Sequence, residues 1–174
     1  MTKRCGIRVS IIAVGIAVAT LAAHAQTKSV VQIAPVTVAA GATEKMVIVD
    51  IRASRVELLA AARNRQQDVT LELDVEAERP PGAFYEVTIG APRQPAVNVG
   101  NIALFGAGIR SEARGEFRPA HVQLVISDQL AAVLGGALTD TMSITFTARG
   151  TQGAPASALT INKGEIVIGP RLRQ

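Results

Sequence analysis

Few side chains of this sequence could carry out chemistry. The chain has two histidines, His24 and His121, and one cysteine, Cys5. Zinc and copper sites take several nitrogen or sulfur ligands, and the single imidazole beyond residue 25 does not supply them. A Ser-His-Asp triad would have to use His121, and the nucleophile motif Gly-x-Ser-x-Gly is absent. The sequence therefore predicts no catalytic, cofactor-binding or metal-binding residue, and it favours a protein that is not an enzyme.

A row of carboxylates is the densest charged pattern of the chain. Glu72, Asp74, Glu76 and Glu78 occupy every second position of one segment. They could act as a general acid–base pair or bind calcium, but calcium loops need an irregular backbone and carbonyl ligands. Apolar residues fill the alternate positions, so we interpret the carboxylates as the solvated side of an amphipathic strand.

Four residues are candidates for contacting a partner protein. Phe84 opens an apolar segment, and its parity is opposite to that of the core residues that follow it. Arg110, Arg114 and Arg118 surround a predicted loop and could form a docking patch. The alternatives are structural, because Phe84 could pack in a second layer of the core and surface arginines are usually just solvated.

The first 25 residues have the three regions of a secretory signal peptide. Lys3, Arg4 and Arg8 form a basic start, and residues 9–23 form an apolar run. The small residues Ala23 and Ala25 flank His24, as at a cleavage site. The apolar run is about 15 residues long, shorter than the roughly 20 of a membrane-spanning helix. We expect cleavage after Ala25 and export to the periplasm or the medium, with an uncleaved anchor as the alternative.

Removal of this segment changes the charge balance. Three of the 18 lysines and arginines lie in it, so those that remain nearly balance the 14 acidic residues. No basic stripe is left, and aromatic residues make up only 3% of the chain, which disfavours nucleic acid as a partner. The remainder also lacks cysteine and has no further run that could span a membrane.

Period-two alternation marks the clearest strands. Residues 69–77 place valine, leucine and alanine on one face and polar residues on the other. A second strand follows, with Tyr85, Val87 and Ile89 on one face. The short Arg-Pro-Pro-Gly link between the two strands predicts a hairpin.

Shorter signals complete the prediction. Further strands are expected at 46–51, 101–105, 122–126, 142–148, 159–161 and 166–168, the first of them buried and the last two joined by a turn at 162–164. Ser127 is expected to cap a short helix that ends at Gly135, whereas residues 54–67 fit a helix or a strand with a loop. The predicted fold class is an all-β antiparallel sandwich, jelly-roll-like, of about seven or eight strands with one short helix.

The chain then divides into three parts. They are a signal peptide over 1–25, an N-terminal arm over 26–45 and a sandwich domain over 46–170. Whether the arm pairs into a sheet stays open. Because 48% of the residues are hydrophobic, the chain can form one sizeable core.

Several segments between residues 84 and 168 carry a resemblance through their order. They are Phe-Tyr-Glu-Val-Thr-Ile at 84–89, Val-Gly-Asn-Ile-Ala-Leu-Phe-Gly at 99–106, Phe117, the strand and helix at 122–135, Met-Ser-Ile-Thr-Phe-Thr-Ala-Arg at 142–149, and the closing pair 159–161 and 164–168. Together they resemble the C-terminal β-sandwich domain of tyrosinases and polyphenol oxidases, the type 3 copper enzymes. Residues 47–51 are similar to the first strand of that domain.

The resemblance implies an accessory domain rather than an oxidase. In that family six histidines on a four-helix bundle hold two copper ions, and this chain has neither the bundle nor the histidines. The implied function is a non-catalytic module, without a cofactor, that docks on or shields a separate tyrosinase-like copper oxidase subunit. The alternative is a free-standing structural or adhesive sandwich of the cell envelope.

Overall fold

Two antiparallel sheets pack against each other in the computed structural model of the protein, which describes residues 27–77, 82–104, 119–136, 138–150 and 157–171. The described residues form nine strands and two helices. The predicted all-β sandwich is therefore confirmed, with two helices instead of one. The signal-peptide prediction lies outside these residues, and within them no helix is long and apolar enough to cross a membrane.

Sheet A has the strand order β1-β9-β4-β7, with β2 also paired to β9, and sheet B has the order β3-β8-β5-β6. The strands are β1 (Lys28–Ile33), β2 (Val36–Val38), β3 (Glu44–Asp50), β4 (Gln67–Ala77), β5 (Phe84–Gly90), β6 (Val97–Ile102), β7 (Ala120–Val125), β8 (Thr141–Arg149) and β9 (Leu159–Pro170). The helices are α1 (Arg55–Arg63) and α2 (Ser127–Gly135).

The core lies between the two sheets and is built by alternation. Leu71 and Leu73 of β4 point inward from sheet A, and Ile144 and Phe146 of β8 point inward from sheet B, all without solvent exposure. Each such side chain contributes about 1.5–3 kcal/mol by leaving water. The alternation predicted for residues 69–77 and 142–148 is thus the pattern that holds the two layers together.

The predicted hairpin between the first two clear strands is wrong. β4 pairs with β7 and β9 in sheet A, whereas β5 pairs with β6 and β8 in sheet B. The chain therefore passes from one sheet to the other between Ala77 and Phe84. Both strands bury one face in the same core, so their alternation is the same whether the link makes a hairpin or crosses between layers.

The predicted turn at residues 162–164 is also absent, because β9 runs through it as one strand. Asp74 pairs with Lys163 and Val75 with Ile161, which leaves Asn162 as a bulge. A Cβ on Gly164 would lie 3.0 Å from the Cβ of Ile33, so glycine is required there by close packing and not by a turn.

The segment predicted as an N-terminal arm takes part in sheet A. β1 pairs with residues 164–168 of β9, and β2 pairs with residues 159–161 of the same strand. Val31 and Ile33 are buried in the core. The described part of this segment therefore contains β1, β2 and the start of β3, and the sandwich includes residues before 46.

Strand β6 begins earlier than predicted. It starts at Val97 instead of residue 101, and its register shifts beside Gly100. Gly100 has a φ of +147°, and a Cβ there would lie 2.9 Å from Leu124. Asn98, Gly100 and Asn101 are therefore residues of a bulged edge strand.

Both helices close the same end of the sandwich, where α1 connects β3 to β4 and α2 connects β7 to β8. The ambiguous segment 54–67 is a helix over Arg55–Arg63, and the two helices contact each other. Ser127 is the first residue of α2 and not its cap, which is Ile126. The buried Ser127 hydroxyl accepts a 2.8 Å hydrogen bond from the Val69 amide, so it fastens α2 to β4.

Candidate interaction surface

The outer face of sheet A pairs its polar groups with one another. Gln123 donates a 3.0 Å hydrogen bond to Glu72, and Lys163 donates a 2.6 Å hydrogen bond to Glu165. Glu72 and Glu165 stand directly opposite each other, an arrangement that is unfavourable for like charges. The neighbouring donors offset that repulsion, so this face is a closed polar network.

Glu165 is the most perturbed carboxylate of that network. The hydrogen bond from Lys163, followed by those of Ser29 and Gln32, lowers the pKa of Glu165 to about 2. The same contact with Glu165 raises the pKa of Lys163 above its ordinary value. Because β1, β4, β7 and β9 all supply groups here, the network joins four strands across the sheet.

His121 lies on this outer face, as strand parity predicts. Its Nδ1 is 2.8 Å from an Asp74 oxygen, and its Nε2 is 3.8 Å from a Glu72 oxygen. Both ring nitrogens therefore face carboxylates and not a hydroxyl nucleophile. Within the described ranges no group of three or more His, Cys, Asp or Glu residues could hold a metal ion. Glu78, the last of the predicted carboxylate row, lies outside those ranges.

The outer face of sheet B has a different character. Its central strand β8 presents only hydroxyls in its first four outward positions, from Thr141, Ser143, Thr145 and Thr147. Thr88 of β5 stands opposite Thr145 and extends the same row. We call this surface the hydroxyl face. The middle of this face carries no charge, so no ion pairs cover it there.

Two apolar side chains stand exposed at the edge of the hydroxyl face. Met46 is 56% exposed and Ile48 is 60% exposed, both on β3 and next to Thr145 and Ser143 of β8. The prediction that residues 46–51 form a buried strand is therefore wrong for these two, although Val49 is buried. The apolar run hid the alternation because both faces of this strand carry apolar residues.

The backbone of β3 has a free side at this edge. The Ala148 amide bonds to the Thr43 carbonyl and the Ile51 amide bonds to the Asp140 carbonyl, each at 2.8 Å. Odd-numbered residues therefore pair with β8, and the N–H and C=O groups of even-numbered residues point away from it. In the part of the chain that the structure describes, β2 lies against β3, but no strand pairs with this side.

Phe84 stands at the opposite corner of the hydroxyl face. It is 43% exposed and lies across from Arg149 on β8. Arg149 forms a 2.8 Å ion pair with Glu86, which also accepts a 2.7 Å hydrogen bond from Asn98. The hydrogen bond from Asn98 has the largest effect and that from Arg149 the next largest, and together they lower the pKa of Glu86 below its ordinary value.

Of the four predicted contact residues, the structure describes only Phe84. Arg110, Arg114 and Arg118 lie outside the described residues, so their relation to Phe84 stays a prediction. Met46 and Ile48, which share the face with Phe84, were missed by the sequence reasoning. The signal that could have found them is the acidic residue at each end of β3, Glu44 and Asp50, in the same alternate register.

Tyr85 follows Phe84 and points the other way, into the core. It is fully buried and lies opposite Ile102 of β6 and Ala148 of β8. Among the described residues its hydroxyl finds no hydrogen-bond partner. Burial raises the pKa of Tyr85 above its usual value. The hydroxyl is therefore a polar group inside the core without compensation from the described chain.

An open groove of about 390 Å³ lies between the helices and the start of β4. Its lining includes Arg63, Arg65, Asp128 and Arg171, with Arg171 at 3.9 Å from Asp68. Because charges of both signs line it, the groove does not select a ligand of one charge, and the hydroxyl face remains the surface with a defined chemistry.

Comparison with known proteins adds no relative. No protein-family model and no curated protein matches this chain. The resemblance to the tyrosinase C-terminal domain therefore stays a prediction from the sequence segments.

Proposed function

We propose that this protein is a non-catalytic interaction module that docks on another protein through the hydroxyl face. The observation that carries this proposal is the pair Met46 and Ile48, more than half exposed on an edge strand. Protein interfaces combine such an apolar centre with a polar rim. Here the apolar pair lies beside the uncharged hydroxyl side chains of Thr145 and Ser143, which lose little on leaving water compared with ions.

A protein is the partner that this surface fits best. Sugar-binding sites depend on aromatic rings, and Phe84 is the exposed aromatic residue that the structure describes on this face. Nucleic acid needs a basic stripe, whereas the face carries Glu44, Asp50 and Glu86. An apolar pair with a backbone edge beside it suits a polypeptide.

The finer proposal names the partner as a tyrosinase-like copper oxidase subunit, met in the periplasm or outside the cell. It is supported by the order of the segments between residues 84 and 168 and by the signal-peptide pattern predicted for the first 25 residues. In that arrangement Phe84 would contact the oxidase beside its copper site. The module itself would contribute shape and shielding, without a redox step.

The test compares three forms of the full chain as bait for proteins of the cell envelope. They are the wild type, the double variant Met46→Thr/Ile48→Thr and the control Val125→Thr. Val125 is a matched control because it is 51% exposed on sheet A. We expect a specific partner to bind the wild type and the control, and to lose at least about tenfold in affinity for the double variant once both proteins are purified.

The outcomes separate the functional classes. Equal binding by all three forms would place the contact elsewhere, and the absence of any envelope binder would leave the free-standing envelope protein as the better explanation. The purified chain is also incubated with copper and a diphenol, and we expect no turnover. Stoichiometric copper with turnover would overturn the non-catalytic proposal.

A further inference from the structure

We infer that β3 accepts an extended segment of the partner as an additional strand of sheet B, and that this segment has an apolar centre with a basic residue at each end. This inference rests on the proposed function, since it specifies how the hydroxyl face binds protein. It follows from the state of the sheet edges, from the backbone of β3 and from the charges beside it.

The four sheet edges differ in how well they could receive a strand. The register of β1 shifts between Ser29 and Val31, and β6 is bulged beside Gly100. On β7 the outward side chains include His121 and Gln123, which are bonded into the polar network. Bulges and polar groups of this kind normally protect an edge from pairing.

Strand β3 lacks those protections. Its seven residues keep one continuous register with β8, so its free side is straight enough to form a ladder. The N–H and C=O groups of Met46 and Ile48 point toward that side, and their side chains lie exposed on the hydroxyl face. A strand that pairs there would bond to the same residues whose side chains it covers.

The charges of β3 define the incoming segment. Glu44 and Asp50 lie on the same face as the apolar pair, one at each end, so basic residues in the partner strand would meet both. The segment therefore has the alternating pattern basic-x-apolar-x-apolar-x-basic. Its apolar residues would pack on Met46 and Ile48.

A second copy of this chain does not satisfy the same pattern. Antiparallel pairing of two β3 strands about Val47 sets Glu44 opposite Asp50 twice, which places like charges together. A shift by one repeat in either direction sets Ile48 opposite Glu44 or Met46 opposite Asp50. Each register thus loses either charge or apolar complementarity, whereas a basic-ended strand keeps both.

A blocked peptide, Lys-Thr-Val-Thr-Ile-Thr-Lys, tests the inference on the full chain by NMR titration. We expect saturable shifts of the Met46 and Ile48 amides. The matched peptide Glu-Thr-Val-Thr-Ile-Thr-Glu should bind at least about tenfold more weakly. Equal binding of the two peptides, shifts centred on β7, or no binding of the basic peptide would each overturn the inference.

Backbone modification separates strand addition from side-chain docking. N-methylation of the peptide's valine and isoleucine removes the bonds to Met46 and Ile48, whereas N-methylation of its threonines leaves them. We expect about a tenfold loss with the first peptide and little change with the second. If both bind alike, no strand is added.

The protein side is tested with Ile48→Pro and Ile48→Thr. Proline at this position removes an N–H that faces the free edge and none that bonds to β8. We expect Ile48→Pro to lose the peptide more completely than Ile48→Thr. A natural partner that binds Ile48→Pro as well as it binds Ile48→Thr would refute strand addition and leave the proposed function standing. Self-association through β3 would likewise overturn the inference.

Discussion

The two outer faces of the sandwich use similar strands for opposite purposes. On sheet A, Glu72, Asp74 and Glu165 each have a donor within the sheet, so the charges satisfy one another. On sheet B the charges are confined to the ends and one corner, and Met46 and Ile48 lie exposed beside hydroxyls. A face whose groups are already paired offers little to a partner, whereas the hydroxyl face keeps its apolar area and its backbone edge available.

The difference between the two sheets should be confined to their outer faces, and the two should contribute equally to the core. Two large-to-small substitutions test this. Leu73→Ala opens a cavity on the sheet A side and Phe146→Ala opens one on the sheet B side, both at fully buried positions. We expect each to lower the free energy of unfolding by about 3–4 kcal/mol. Chemical denaturation of both variants provides the measurement. A loss below about 1 kcal/mol on one side would mean that the two sheets do not share one packed core.

The polar network of sheet A should respond to acid. Glu165 contributes stability above its unfolded pKa of about 4.5, and that contribution is lost as pH falls through its folded pKa of about 2. Glu165→Gln lacks this contribution, so the free energy of unfolding should vary less with pH between these two values. The midpoint of acid unfolding should move to higher pH by roughly half a pH unit. Circular dichroism against pH measures this.

A variant of another ion pair serves as the control for acid stability. The exposed Arg52–Asp140 pair spans 2.9 Å on the helix side of the molecule, and Arg52→Gln should leave the transition in place. An identical shift in both variants would show that the network has no special share in acid stability.

Removal of the uncompensated Tyr85 hydroxyl should stabilise the protein, by less than the core substitutions destabilise it. Tyr85→Phe removes a buried polar group and keeps the ring, so we expect a gain of about 1 kcal/mol in the free energy of unfolding. Thermal and chemical unfolding both report it. Destabilisation by this substitution would mean that the hydroxyl has a partner outside the described residues.

The smallest expected effect distinguishes a binding surface from a structural one. The double variant Met46→Thr/Ile48→Thr should change the free energy of unfolding by less than about 0.5 kcal/mol, because both side chains are mostly in water. Val125→Thr on the other sheet should behave alike. A large loss in the double variant alone, measured by urea denaturation, would mean that Met46 and Ile48 stabilise the fold.

The sequence predicted best the features that depend on a single strand, such as which of its residues are buried. The alternation of β4, β5, β7 and β8 follows from burial of one face, and Phe84 and His121 took the predicted outer positions. The sheet to which a strand belongs depends on distant partners. For that reason the link after Ala77 was misassigned as a hairpin, and Asn162 was misassigned to a turn.

The candidate surface was harder to predict for the same reason. Met46 and Ile48 look like core residues until β3 is known to be an edge strand, since Val47 and Val49 between them are also apolar. Ser127 looks like a helix cap because its residue type suits that position, but its hydroxyl accepts a hydrogen bond from a backbone amide of β4. Edge position and long-range bonds are properties of the assembled sheets.

The place of β9 in sheet A sets the order in which the molecule can be assembled. It is the last of the described strands, yet β1, β2 and β4 all bond to it. During synthesis, β1 and β2 must wait for residues 159–170 to leave the ribosome before they have a neighbour to pair with, whereas β4 can pair first with β7. Such dependence on distant sequence slows folding, and a chain cut short before Leu159 would leave β1 and β2 unpaired and β4 open on one side.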